Sequence, residues 1–460
     1  MKEIVLPPLQ SQVMPFSDFL AALFLALKAE GVRFCVLRNY EGFPESNAGN
    51  DIDFLIFQSD LPRVIRAIQG IDGTRIVGYT ERPYVVMVFL EGVSQGGSNR
   101  ALELDFDPRL AWKGLVYLAT DSVLDAAIPR HAGSLTFLVP SPVHEAIISL
   151  LGSLLIFGRV KEKYFPKVQR TFASNRGDAI AALTPQFGLK AATGLVDAVI
   201  GGAQQEVKDC MRPLRTSLAL RNLRRGPSRA TTAIARHYAR EFAIRYSTKT
   251  LETVCIMDSA GFDSAATVED LMPILKSVAS QVKKGSLRLQ QTEARESLKE
   301  KSSPGSRTLT PNGFFASIAR VTLLLCTEWI RQFKGNRNLT LRICECDVRD
   351  LVIGSRKSRY GGPMSFARLA FKMFPSLDLW ILLDRSAIEL QSRDEELSSA
   401  EAVRQVEQLR SFVESTGRFI ILDASQPAET VQERAYAAIV NMLSERTNTQ
   451  LKKRFNRFLP

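Results

Sequence analysis

From residue 251 to residue 443, short apolar runs alternate with stretches of helical periodicity. That alternation limits the fold more than any other feature of this 460-residue chain. Runs at 253–257, 340–344, 377–383 and 419–422 predict strands. Helical spacing over 268–283, 314–333, 366–374, 400–415 and 428–443 predicts helices between and after them. This order fits a parallel sheet covered on both faces. Residues 284–310 are polar, with Pro304, Gly305 and several serines, and read as a flexible insertion.

The first 140 residues follow another rule. Helical spacing over 17–30, an apolar run at 34–37, a turn-rich loop at 39–50, a strand at 51–57 and a helix at 60–69 precede two alternating, antiparallel-type strands at 84–90 and 101–106. This is an α+β order. From 141 to 246 the periodicity is helical throughout, starting at Pro142 and turning basic over 221–246. Three domains are therefore expected: an α+β domain over 1–140, an α-helical connector over 141–250, and an α/β domain over 251–460, in a chain long enough for each to bury a core.

Composition narrows the partners. The apolar stretch 19–27 is too short to cross a bilayer, so a cytoplasmic location without a membrane span is expected. The six cysteines read as free thiols, and Cys344-x-Cys346 stands too alone for a metal site. The net charge of +12 is spread out, denser at 221–240 and 452–457, with no basic stripe interleaved with aromatics. Nucleic acid is accordingly the least favoured partner, behind phosphorylated small molecules and a plain solvated surface. His131, His144 and His237 lie in unrelated segments and suggest no shared chemistry.

Two constellations carry chemistry. Asp51-Ile52-Asp53 opens a strand, where residues two apart share a face. Paired carboxylates call for a cation, and Mg²⁺ prefers such oxygen ligands; Asp105, with Glu103 on the same later strand, offers the third. The plain alternative is a pair of solvated edge charges. The second is the loop after the 253–257 strand. A phosphate loop reads G-x-x-x-x-G-K followed by Ser or Thr. Here Asp258 and Asp263 stand at the glycine positions around Gly261, Ser264 at the lysine, and Ala265 at the metal-binding hydroxyl. Added negative charge and a missing lysine oppose triphosphate binding.

The segments 36–40 and 49–55, with Leu104-Asp105 and 112–115, resemble nucleotidyltransferase-fold domains of bacterial surface-polysaccharide clusters. The resemblance implies Mg²⁺ on Asp51, Asp53 and Asp105. It also implies phosphate contact near Arg38 and Asn39, where active members carry Gly-Ser. The segments 350–362, 375–384, 392–397 and 422–424 resemble thymidylate-kinase-like proteins, implying phosphate contacts for Arg356, Arg359 and the lid residue Arg393. At the family's Asp-Arg pair this chain has Glu345-Cys346. Segments 157–164 and 221–227 are similar to the helical connector of proteins that fuse the two domains.

Taken together, the expectation is an Mg²⁺-dependent nucleotidyl- or phosphoryl-transferase acting on a sugar or sugar phosphate in surface polysaccharide or lipopolysaccharide assembly, with an inactive kinase-like domain. The alternative is a non-catalytic scaffold or nucleotide-binding regulator that contacts a protein of that machinery.

Overall fold

The computed structural model describes residues 2–3, 13–47, 51–94, 100–247, 251–258, 263–276, 278–287, 313–333, 340–346, 361–363, 365–366, 369–370, 373, 377–393, 398–415 and 417–455. The chain divides into two compact units. One comprises residues 12–247 and 447–460, the other residues 1–11 and 248–446. Among the described residues, no helix is long and apolar enough to cross a membrane. The architecture is α/β, with a five-stranded mixed sheet and a six-stranded parallel sheet among many helices.

The strand nearest the start, β1 (Lys2–Glu3), belongs to the second unit. The first unit begins with β2 (Met14–Pro15) and α1 (Phe16–Ala29). Helix α1 buries Phe16, Phe19, Leu20, Leu23, Phe24 and Leu27, a stripe at three- and four-residue spacing. There follow β3 (Phe34–Val36), β4 (Asp51–Ile56), α2 (Leu61–Gln69), β5 (Arg75–Glu81), β6 (Val86–Glu91), β7 (Val93–Ser94) and β8 (Ala101–Asp107). The sheet order is β3-β4-β8-β6-β5. Its β4–β8 pairing is parallel and the other three are antiparallel.

The two faces of this sheet differ in chemistry. Even-numbered side chains of β4 and β8 (Ile52, Phe54, Ile56, Leu102, Leu104, Phe106) join α1 and α2 in one core. Phe54 and Phe106 stack there at 5.2 Å and are fully buried, each contributing about 2–3 kcal/mol by burial. On the other face Cys35, Leu37 and Leu55 belong to a second core, built on the helices from 142 to 247. The hairpin of β9 (Leu110–Trp112) with β10 (Leu115–Leu118) joins it, whereas the hairpin after α3 (Thr120–Asp125), β11 (Ile128–Ala132) with β12 (Leu135–Val139), packs in the first core.

The helical stretch opens with α4 (Pro142–Phe157). Pro142 takes the first turn, the Ser141 hydroxyl accepts from the His144 amide, and Gly158 ends the helix in the left-handed region. Then come α5 (Phe165–Ser174), α6 (Arg176–Phe187), α7 (Leu189–Gly201), α8 (Gln204–Asp209), α9 (Met211–Arg225) and α10 (Pro227–Ser247).

The second unit has a six-stranded sheet in which every pairing is parallel. Its strands are β13 (Leu251–Asp258), β14 (Gln281–Leu287), β15 (Thr340–Cys346), β16 (Leu379–Asp384) and β17 (Arg418–Asp423), in the order β1-β17-β16-β13-β15-β14. Strand β13 is buried on both faces over residues 252–258, which explains its unbroken apolar reading. Helix α11 (Asp263–Leu275) follows it, then α12 (Phe314–Phe333), α13 (Ala387–Arg393), α14 (Ser399–Ser415) and α15 (Ala428–Phe455).

Two expectations need correction, and one strand went unanticipated. The helix expected over 268–283 stops at Leu275, and residues 281–287 are a strand, so the insertion does not begin at 284. Strand β14 lies at the sheet edge, where Gln281, Lys283 and Lys284 are tolerated and mask the strand pattern. The rest of that insertion, 288–310, lies outside the described residues. The last helix continues twelve residues past 443, because Leu451 and Phe455 are buried in the first unit's core although the intervening sequence is polar. Strand β5 gave no sequence signal, since Gly78 interrupts its alternation with a register shift.

Candidate functional site

Register builds the site. Asp51 pairs with Glu103, Asp53 with Asp105, and Leu55 with Asp107. Because strand side chains alternate, Asp51, Asp53, Glu103, Asp105 and Asp107 all stand on the sheet face opposite Phe54 and Phe106. One carboxylate oxygen each from Asp51, Asp53 and Asp105 lies within 4.8 Å of the others. The three aspartates that the sequence suggested for a metal therefore converge.

So many acids cannot all ionise cheaply. Burial raises the Asp105 pKa to about 9, reinforced by Glu103, Asp53, Asp107 and Asp51. Glu103 rises to about 7 through burial and then Asp51, while Asp107 rises to about 7 through burial and then Asp53. Asp51 is also raised, by burial and then by Asp53. The Asp105 Oδ1 atom is buried and has no hydrogen-bond partner. A buried acceptor without a donor, facing two further carboxylates, suits a metal cation.

Positive charge already reaches the cluster from the chain itself. Arg38 donates from Nε to Asp53 Oδ2 at 2.7 Å and from Nη2 to Oδ1 at 2.5 Å. The ladder explains the meeting, since Val36 pairs with Phe54 and the Leu37 amide donates to the Asp53 carbonyl at 2.8 Å. Arg38 is thus delivered beside Asp53 as β3 ends. Asn39 then takes a φ of 60°, and its Oδ1 accepts from the Tyr164 hydroxyl at 3.3 Å. Two lysines of the α4–α5 connection add to the positive rim. Burial and then Arg38 lower the Lys161 pKa while Asp53 opposes that, and Lys163 favours ionised Asp51.

The remaining residues read from the sequence are placed as follows. Asp258 is buried at the carboxyl end of β13. Ser264 is buried and Ala265 half-buried in the first turn of α11; Asp263 begins that helix, and its side chain lies outside the described residues. Gly261, Arg356 and Arg359 also lie outside the described residues, as does the Arg393 side chain at the end of α13. The structure thus assembles the acidic constellation and describes only part of the loop. Sequence reasoning overlooked Asp107, Lys161, Lys163 and Tyr164. Asp107 was open to discovery, because the acid alternation Glu103-x-Asp105-x-Asp107 simply runs one step further.

A scan against protein-family models finds no match, and a search of curated proteins finds none either.

Proposed function

We propose that the first unit is a divalent-metal-dependent nucleotidyl- or phosphoryl-transferase. The observation that carries this reading is the convergence of Asp51, Asp53 and Asp105, with an unpartnered buried oxygen on Asp105. These three residues would hold Mg²⁺, which supplies polarisation of a phosphoryl oxygen and acidifies an acceptor hydroxyl. The chain's own groups have separable roles. Asp105, its pKa raised by burial and by its acidic neighbours, would give up its proton to a bound cation. Arg38 neutralises Asp53 in the metal-free protein. With that carboxylate engaged by a cation, the guanidinium would be free for phosphate oxygens, together with Lys161 and Lys163. Resemblance of the sequence to polysaccharide-cluster nucleotidyltransferases supplies the acceptor class, a sugar or sugar phosphate.

The second unit is proposed to be a kinase-like fold without kinase activity. Counted from β13, its strands run 2-3-1-4-5, and ligands of open parallel sheets bind where the order reverses, beyond the end of β13. Asp258 at that end and Ser264 in place of a lysine support a scaffold role. One observation favours extending the scaffold reading to the whole chain: the bidentate Arg38–Asp53 pair already closes the cluster.

Isothermal titration decides between them. Mg²⁺ or Mn²⁺ alone should bind the wild type and not Asp51→Asn/Asp53→Asn. Absence of metal binding by the wild type refutes the transferase reading and leaves the scaffold. Radiolabelled ATP with nucleoside monophosphates should give no phosphoryl transfer; turnover surviving Asp51→Asn/Asp53→Asn would assign an active kinase to the second unit.

A further inference from the structure

Beyond the carboxyl ends of β4 and β8, a cavity of about 660 Å³ opens in the first unit, within the size range of small-ligand sites. Five arginines line it: Arg109 after β8, Arg229, Arg236 and Arg240 on α10, and Arg454 on α15. None of Asp51, Asp53 and Asp105 lines it. Arg109 follows Asp105 by four residues, roughly 13 Å of extended chain.

Compensation of these five charges is incomplete. Glu81 takes both Arg240 and Arg454, the latter through Nε at 2.6 Å. Glu241, also on α10, lies 3.8 Å from His237. No carboxylate among the described residues pairs with Arg109, Arg229 or Arg236. The guanidinium of Arg109 is held below its ordinary pKa, by burial and then by Arg240 and Arg236, as happens when cations crowd without an anion between them.

The walls are built to hold this arrangement. Tyr84 accepts the Lys113 amide on its hydroxyl at 2.6 Å and stacks on His237 at 5.2 Å. Gly114, at φ 83°, lets the β9–β10 turn approach α10 so closely that a Cβ there would lie 2.4 Å from the Ala233 carbonyl oxygen. A solvated basic face does not need an ordered hydroxyl, a ring stack and a glycine-only approach beneath it.

We propose that this cavity is a binding site for a small molecule carrying two or three linked phosphates. Three uncompensated guanidiniums match the charge of such a chain, and arginine's planar fork suits its oxygens. A lone orthophosphate would leave part of that charge unanswered. A polynucleotide would need a basic track, whereas here the charge converges on one concavity. The site does not depend on the metal reading, and it is tested without metal.

Calorimetry of the full chain in EDTA at low salt, with sodium tripolyphosphate, pyrophosphate, orthophosphate and ATP as probes, tests it. Tripolyphosphate and ATP should bind one to one, at least tenfold tighter than orthophosphate and more weakly as salt rises. Arg109→Gln/Arg236→Gln should weaken them at least tenfold, while Arg224→Gln/Lys190→Gln, which removes equal charge elsewhere, changes them less than twofold. Arg229→Gln alone should cost three- to tenfold, which keeps the test open if the double variant fails to fold. Absence of tripolyphosphate binding, equal losses in both double variants, or tighter binding of a 20-nucleotide single strand than of ATP would overturn the proposal.

Discussion

Arg38 grips both carboxylate oxygens of Asp53, and in doing so it occupies the coordination that a metal on Asp51, Asp53 and Asp105 would need. Asp53 is almost wholly buried, with its side chain 2% exposed, while Arg38 retains 25% of its side-chain exposure. The arginine thus keeps some access to solvent where the aspartate has almost none.

Arg38→Gln should accordingly separate stability from metal binding. Removing one partner of a buried pair leaves an uncompensated charge; with Arg38 partly exposed, the cost is about 2–4 kcal/mol in EDTA. Added Mg²⁺ should restore more stability to the variant than to the wild type, because the competitor for Asp53 is gone. Thermal unfolding with and without Mg²⁺ measures both. An equal Mg²⁺ increment in the two proteins would contradict the competition.

Asp105→Asn should stabilise the metal-free protein at alkaline pH. The folded pKa of Asp105 lies well above its unfolded value, so its contribution is fully present below about pH 4 and is lost as pH rises towards about 9. Asparagine does not titrate and escapes that loss. Urea unfolding in EDTA at pH 8.5 should show a gain of about 1–2 kcal/mol over the wild type, shrinking at pH 5. The same variant should lose its Mg²⁺ response, as befits a site that trades stability for binding.

Glu81 gives the opposite pH signature. Burial would raise its pKa, but hydrogen bonds from Arg454, Tyr79 and Arg240 outweigh burial and hold it at about 2. A depressed carboxylate contributes stability above its unfolded value and loses it as pH falls towards 2. Glu81→Gln should therefore cost about 2–3 kcal/mol at pH 7 and little at pH 2. Chemical denaturation across that window reads the difference, and a pH-independent cost would refute it.

In the second unit, Arg342 and Glu328 form a buried two-bond pair, their side chains 9% and 8% exposed. Glu328→Gln should destabilise that unit by about 3 kcal/mol, because it strands the guanidinium in the protein interior. Replacing both residues with apolar ones of similar volume should recover most of the loss, as denaturant titration would show.

The sequence made much of this visible where local physics decides. The stripe of α1, the Ser141-Pro142 start of α4 and the unbroken apolar run of β13 each announce their element. Asp51 and Asp53 were legible because two acids at strand spacing are costly without a purpose. What escaped depends on pairings distant in sequence. Nothing local says that β4 and β8 run parallel in a register that sets Asp53 against Asp105. Nor does Arg38 declare that Asp53 is its partner, fifteen residues away across a turn-rich loop. The arginine cavity needs residues as far apart as Arg109 and Arg454. Read in order, its parts look like a basic helix and a basic tail.

Leu451 and Phe455 pack into the core of the first sheet, with Phe455 edge-on to Tyr79 at 6.0 Å. On a ribosome, the residues of the first unit up to 247 emerge well before the segment that completes it. That unit must wait, partly unclosed, while about two hundred further residues are made. A chaperone or early partner would meet it with an apolar slot still open, and a nonsense mutation late in the gene would damage the product of the early codons.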